Sequence, residues 1–291
     1  MANNITTAEK YVSLLDEVYK ASARTSILDC DTALLREGAN AGEIAIPTYL
    51  MDGLGDYDRD EGYADGTVTL TWETVQFNYE RGRMFMIDTM DDEETAGVAF
   101  GKLAGEFIRT KVVPEVDAFR FASYASVQGV TSVHADLTTG AAVLEALQAA
   151  YSALDEAEVP EEGRYLFITP ELYNLAKNVA TTVNTSILDA FAAVVRVPQG
   201  RFYTAIELYD GKTEGETSGG YAAATGALDI NFMVIQKDAV IQLTKHAVPK
   251  IVSPEANPDA DAWKFGYRNY GMANVYANKK SGIYCHTEAS S

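Results

Sequence analysis

The sequence predicts an α+β fold in which a long β-hairpin leads directly into a long helix. Alternation at strand period runs from Thr67 to Ile87, and an acidic cluster, Asp91 to Glu94, then opens an apolar stripe of helical spacing. Short apolar runs of strand length recur through the second half of the chain. With 291 residues, 47% of them hydrophobic, the chain can bury a sizeable core as one large domain or two small ones.

Within the hairpin, Val68, Leu70 and Trp72 alternate with threonines, the phase slips at Glu73 and Thr74, and alternation resumes at Val75, Phe77 and Tyr79. A slip of one residue exchanges the two faces of a strand. Glu80, Arg81 and Gly82 are expected to close a turn, with Gly82 at positive φ, and Arg83 to Ile87 to return as the second strand. A two-stranded ribbon of this length is marginal alone and is expected to lie on a neighbour. The preceding stretch, Ile44 to Gly66, holds Pro47, four glycines and a dense acidic run, and reads as an extended, solvated loop.

Thr6 to Ala23 reads as an amphipathic helix, with Thr6 and Glu9 as a capping box. Ala96 to Tyr124 reads as the long helix, with Ala99, Leu103, Phe107 and Ile108 on one stripe, and Pro114 is expected to kink or split it. Thr139 to Glu156 is a second helix, Tyr165 to Ile168 a buried strand, and Thr169-Pro170 the cap and first position of a further helix. Asn184 to Val195 is expected as a helix, Gly200 to Tyr209 as a strand, and Gly211 to Gly226 as a flexible polar loop. Strands are expected at Ile230 to Val234, Val240 to Leu243, Trp263 to Tyr267 and Met272 to Tyr276.

Lys and Arg total 23 against 42 Asp and Glu, and a net charge of −19 argues against a protein whose task is to grip nucleic acid. Cys30 and Cys285 lack metal-ligand spacing and fit free thiols in a reducing compartment. Met1 begins no signal-like segment and no apolar run approaches the ~20 residues that span a bilayer, so a soluble, cytoplasmic product is expected.

Catalytic and metal constellations are weak. Asp56-Tyr-Asp58-Arg-Asp60 imitates the start of a calcium loop, but Glu61 stands where the sixth-position glycine belongs and Thr67 where the twelfth-position glutamate belongs. His134, His246 and His286 are not at metal spacing, and Cys285 and His286, adjacent on a strand, should point to opposite faces. Carboxylates are abundant, but abundance is not geometry. The 17 tyrosines, gathered partly between Trp263 and Tyr276, suit strand packing or subunit contacts equally. No catalytic residue, cofactor or metal is assigned.

The run from Glu73 to Thr95, ETVQFNYERGRMFMIDTMDDEET, resembles the end of the E-loop and the start of the spine helix in tailed-phage major capsid proteins, whose shell fold is that of phage Hong Kong 97. Val112-Val-Pro114-Glu115-Val-Asp117-Ala-Phe-Arg120 is similar to the later spine-helix phrase of that family. Glu162 to Pro170 resembles its strand-to-helix step into the axial domain. The closing run Lys245-His246, Pro254, Trp263, Tyr267-Arg268 and Lys279 to Tyr284 is similar to its last strands. The four phrases stand in the family's order from about Ile44 onward.

The resemblance implies a Hong Kong 97-like capsid fold with an N-terminal arm (1–43), an extended E-loop hairpin (44–90) and a peripheral domain with a long spine helix (91–140). An axial domain (141–240), peripheral return strands (241–271) and a C-terminal strand toward the axial domain (272–291) complete it. It points to Trp72, Phe77, Tyr79, Arg81, Arg83, Pro114, Glu115 and Asp117 as assembly residues. It implies a homo-oligomer: hexamers and pentamers tiling an icosahedral phage head that encloses double-stranded DNA without sequence-specific binding. Assembly in the host bacterial cytoplasm follows, with a separate scaffolding protein, a portal and optionally a decoration protein as partners, and no membrane. The alternatives are an encapsulin-like cellular nanocompartment shell and, from another class, a soluble acidic hydrolase. Family members that cross-link their shells use an E-loop lysine. From Ile44 to Met90 the basic residues are Arg59, Arg81 and Arg83, and a guanidinium cannot replace that amine, so a non-covalent shell is implied.

Overall fold

The computed structural model describes Tyr19 and residues 23–30, 36–37, 42–60, 62–90, 98–179 and 186–289. The chain divides into two compact units, residues 31–78 and the remainder. The expected N-terminal helix lies outside the described residues except for Tyr19 and Ala23, both buried, and so does the acidic helix start at Asp91 to Glu94.

The smaller unit is a three-stranded antiparallel sheet of β1 (Arg36–Glu37), β2 (Glu43–Met51) and β3 (Val68–Gln76), in that order. The hairpin partner of β3 is therefore β2, which lies in the stretch expected to be a loop, and the turn expected at Glu80-Arg81-Gly82 is absent. Pro47 misled the reading: it sits beyond Ala45, the last β2 residue paired with β1, where one side of β2 is an edge that tolerates a missing donor. The pairing runs from Glu43↔Gln76 to Met51↔Val68 in continuous register, so the phase slip at Glu73 and Thr74 is not a bulge. Instead the apolar side changes along a regular ribbon. Ile44, Ile46 and Val75 share one face and are buried. Beyond them the pairs Pro47–Trp72, Tyr49–Leu70 and Met51–Val68 occupy the opposite face.

From Tyr79 onward the larger unit contains β4 (Tyr79–Asp88), which runs straight through Gly82, and then α1 (Val98–Phe107), a π turn (Ile108–Val112) and α2 (Val113–Ala125). It continues through β5 (Thr131–His134), α3 (Gly140–Glu156), β6 (Arg164–Ile168), α4 (Pro170–Asn178), α5 (Ser186–Asp189) and β7 (Ala193–Arg196). It closes with β8 (Ile206–Tyr209), β9 (Gly220–Ala223), β10 (Ile230–Gln236), β11 (Val240–Val252), β12 (Ala262–Val275) and β13 (Ile283–Thr287). The helix expected over Asn184 to Val195 is a single turn followed by β7, because Val194 and Val195 pair in parallel with Leu166 and Phe167. The two strands expected between Trp263 and Tyr276 are one, β12, which stays extended through Arg268 to Gly271. The polar loop after Gly211 contains β9, paired with β8.

β4 pairs with β12, from Tyr79↔Gly271 to Asp88↔Ala262, and β12 with β11, giving the sheet β11-β12-β4. The second sheet has the order β5-β13-β10-β6-β7, and its central strand β10 is buried on both faces, which is why it is largely apolar, while the edge strand β5 is exposed. Phe167, Met233, Ile235 and Cys285 face Phe121 and Tyr124 of α2. The alternate residues Leu166, Ile168, Phe232, Val234 and Tyr284 face Val143, Leu147 and Leu154 of α3 and Leu172 of α4. Thr139 caps α3 as expected, its hydroxyl accepting the Ala142 amide at 3.2 Å. A third core packs Ile108, Val112, Val113 and Val116 against Tyr79, Phe265 and Tyr267 of the smaller sheet.

Candidate assembly site

The phrase around Pro114 carries three charged residues, Glu115, Asp117 and Arg120, that are buried where α2 is otherwise apolar. Pro114 does not split the helix, which runs on from α1 through the π turn into α2. In a regular α-helix its ring would crowd the carbonyl four residues back. Here the turn before it is widened, with the Val113 amide donating to the Ile108 carbonyl five residues back, and α2 resumes with Pro114 in its first turn.

Glu115 faces β4. Its Oε1 accepts the Tyr79 hydroxyl at 3.0 Å and Arg81 Nε at 2.8 Å. Alternate β4 residues share a face, so Tyr79, Arg81 and Arg83 point to the α2 side. Arg81 Nη2 also donates to the Gly220 carbonyl at 3.2 Å, and Arg83 Nη2 to the Thr217 carbonyl at 3.1 Å. The two arginines thereby hold the β8–β9 hairpin and its loop. Burial, reinforced by the Glu115 carboxylate, pushes the Tyr79 phenol far above its ordinary value, so it remains a donor.

Asp117 lies on another side of α2 and is fully buried. It accepts the backbone amides of Arg24 and Thr25 at 3.0 and 3.1 Å, the Thr25 hydroxyl at 2.7 Å and Arg201 Nη1 at 3.2 Å. Arg120 donates to Thr25 Oγ1 at 2.8 Å and to Thr244 Oγ1 at 3.1 Å. Gln242 completes the knot: its amide nitrogen donates to the Thr25 carbonyl and to Asp29, each at 2.7 Å, while its oxygen accepts the Tyr124 hydroxyl at 2.8 Å. The segment Arg24 to Asp29 is thus strapped to α2 and β11 by charge-assisted bonds. Sequence reading missed Thr25, Arg120 and Gln242, although an arginine inside Phe119-Arg120-Phe121 was a signal of a buried ion pair.

Of the eight residues singled out from the sequence, Pro114, Glu115 and Asp117 lie on α2 and Tyr79, Arg81 and Arg83 on the β4 face toward it, with Glu115 and Asp117 at the centres of two separate polar clusters. Trp72 and Phe77 lie in the smaller unit, Trp72 on the exposed face at the hairpin tip and Phe77 half-buried below it. At the neck of the acidic loop, Asp52 accepts the Thr67 amide at 2.7 Å and its own amide donates to the Thr67 carbonyl. The calcium-like run folds back through an Asp58–Gly62 bridge with Gly62 at φ 88°.

The carboxylates at Glu115 and Asp117 are saturated by donors, an arrangement that fixes elements rather than transferring protons. Cys285 and His286 point to opposite sides of β13. The thiol is pushed up to about 12 by burial, whereas the imidazole stacks on Phe232 at 4.9 Å. Neither cysteine is in a disulfide, and the Cys30 thiol donates to the Gln242 carbonyl at 3.0 Å. Among the described residues no group of three His, Cys, Asp or Glu side chains is placed to hold a metal, and no helix is long and apolar enough to cross a membrane.

No known family profile matches the sequence, and no curated protein is similar to it. Solved structures are similar. A chain from Gordonia phage Cozz superposes with a TM-score of 0.60 at 12% identity, over 91% of this chain and 85% of that one. The capsid structure of Cyanophage P-SCSP1u gives 0.57 at 14% identity, over 88% and 86%. The virus-like particle from Pyrococcus furiosus gives 0.55 at 12% identity, over 96% and 99%. The chain has the mixed helix-and-sheet fold of tailed-phage capsid proteins.

Proposed function

We propose that this protein is the major capsid subunit of a tailed double-stranded DNA phage, assembling as hexamers and pentamers into an icosahedral head. The observation that carries the reading is the hairpin tip: a ribbon of two strands with Tyr49, Leu50, Met51, Val68, Leu70 and Trp72 all exposed. A soluble protein that remained alone would not present such an uncharged ribbon. Capsid-like architecture over more than four-fifths of the chain supports the same reading. In this assignment β2 and β3 are the E-loop, the β11-β12-β4 sheet with α1 and α2 is the peripheral domain, and the five-stranded sheet with α3 and α4 is the axial domain. The role is structural. The charge of −19 leaves enclosed DNA ungripped, and a separate scaffolding protein and a portal complete the head.

A shell without a genome is the second reading, favoured by the near-complete coverage of the Pyrococcus furiosus particle chain. Negative-stain microscopy of the protein expressed alone and with phage scaffolding tests both. Closed shells support the capsid reading, and a small uniform oligomer under every condition would overturn it. Shells that selectively enclose a host protein would favour the second reading.

A further inference from the structure

The register of β11 on β12 breaks at one point beneath α2. Thr244 pairs with Gly271 and His246 with Tyr270, so Lys245 is an extra residue that bulges β11. On β12, alternation places Asn269, Gly271 and Ala273 on the same face as Phe265 and Tyr267, the face that packs toward α2. Gly271 adds no side chain to that face, and the Leu243 carbonyl oxygen, 2.7 Å from where its Cβ would stand, keeps the position bare. A bulge and a glycine at the same place leave a gap. The result is a cavity of about 10 Å³, lined among others by Tyr79, Phe119, Arg120, Thr244, Asn269 and Gly271.

The gap is polar where the helix above it is largely apolar. Asn269 is 2% exposed, and its side-chain nitrogen Nδ2 is buried with no hydrogen-bond partner among the described residues. A buried donor left unmet is costly, and native structures rarely tolerate one. Thr244 lines the same cavity. Its Oγ1 accepts Arg120 Nη2 at 3.1 Å and keeps a second lone pair to offer. The Tyr19 hydroxyl, also buried and without a partner among the described residues, lies beside Thr244 and Arg120. Burial pushes this phenol up against the pull of Arg120, so it stays protonated.

Size and charge select the occupant. One water needs ~10–15 Å³ and two to four polar partners, whereas an organic molecule or a buffer anion needs far more room. The Arg120 guanidinium in the lining repels a cation. We propose that this cavity binds one structural water molecule, which accepts from Asn269 Nδ2 and donates to Thr244 Oγ1, with the Tyr19 hydroxyl as a third partner. The water carries the Thr25–Arg120–Thr244 network, which straps the segment after Tyr19 onto α2 and β11, across to β12. This site belongs to the single subunit and stands whether or not shells form.

The test is an experimental structure of the wild-type protein at a resolution where buried waters are visible. A peak is expected ~2.7–3.2 Å from both Asn269 Nδ2 and Thr244 Oγ1. No peak at this place in a map that shows other buried waters, or a peak out of reach of Asn269, would overturn the proposal. A second arm is the melting temperature of Asn269→Leu, which keeps the bulk of the side chain and removes its donor. Loss of the anchor for a bound water should lower the melting temperature by roughly 2–4 °C. A dry, orphaned amide predicts the opposite sign, because its removal relieves a buried unmet donor, so a melting temperature equal to or above that of the wild type would also overturn the proposal. If the variant fails to fold, the wild-type map alone decides.

Discussion

Gly82 lies against the carbonyl oxygen of Tyr267 so closely that a Cβ on Gly82 would meet it at 2.9 Å. The glycine that looked like a turn residue is therefore a mid-strand position where β4 approaches β12. Gly82→Ala must push two paired strands apart, and overpacking of this kind costs about 1–3 kcal/mol. The expected outcome is a lower denaturation midpoint of the isolated subunit with unchanged secondary structure. An unaltered midpoint would show that the β4–β12 pairing is looser than described.

Asp117→Ala leaves Arg201 without its buried carboxylate, and the amides of Arg24 and Thr25 and the Thr25 hydroxyl without their acceptor. Breaking a buried pair on one side costs about 3–5 kcal/mol. Segment 24–29 is expected to detach first, seen as faster amide exchange at Thr25 than in the wild type. Retention of slow exchange there would mean that Gln242 and Arg120 hold the strap unaided.

Pro114→Ala restores an amide donor and removes the ring that a regular α-helix could not accommodate, so the π turn at Ile108 to Val112 can relax. Because relaxation re-aims α1 against α2, the effect should appear in particle diameter or expansion more than in subunit stability. Particles of unchanged diameter and expansion behaviour, together with a large rise in thermal stability, would show that the widened turn has no part in assembly.

His286 is depressed below its ordinary value, first by burial and then by His134. Its ring accepts or shares a hydrogen with the Asn231 amide at 3.2 Å, within the β10–β13 pairing. A depressed base binds fewer protons in the folded state, so its contribution to stability is intact above the unfolded value near ~6.5 and is lost as pH falls through it toward the folded value. The melting temperature of the wild type should fall between pH 7 and pH 5 more steeply than that of His286→Gln. Since His134, Asp136, Asp229 and Glu288 are common to both proteins, identical slopes would remove His286 from the acid response.

Purified mature shells, boiled in detergent with reductant, are expected to give one band near 31.6 kDa, because the hairpin strands and their loop hold one arginine, Arg59, and no lysine. A ladder of covalent oligomers surviving reduction would contradict this and direct attention to a lysine elsewhere, such as Lys279 or Lys280.

Helix α3, its Thr139 cap, β6 and the step into α4 were legible because period, cap and proline agreed there. The partner of β3 was not. Glu43 to Met51 contains a proline and its apolar residues change face midway, so neither strand period nor strand chemistry stood out. Gly82 after Glu80-Arg81 imitated turn chemistry, and only the approach of Tyr267 explains it. Of the site, Glu115 and Asp117 were found through a family phrase. The Asp117 partners Thr25 and Arg201, and Gln242 that holds Thr25 in turn, are distant in sequence and could not be read from local pattern.

The most direct test of the central claim is sedimentation of the full-length protein beside a variant in which Asp52 to Gly66 is replaced by a short glycine-serine turn, both expressed with scaffolding. The account predicts megadalton shells for the full-length protein. For the variant it predicts a folded, soluble subunit or small oligomer, since the acidic loop belongs to no core of its own chain and Met51 and Val68 still pair beside it. Closed particles of normal size from the shortened variant would contradict an assembly role for the hairpin tip.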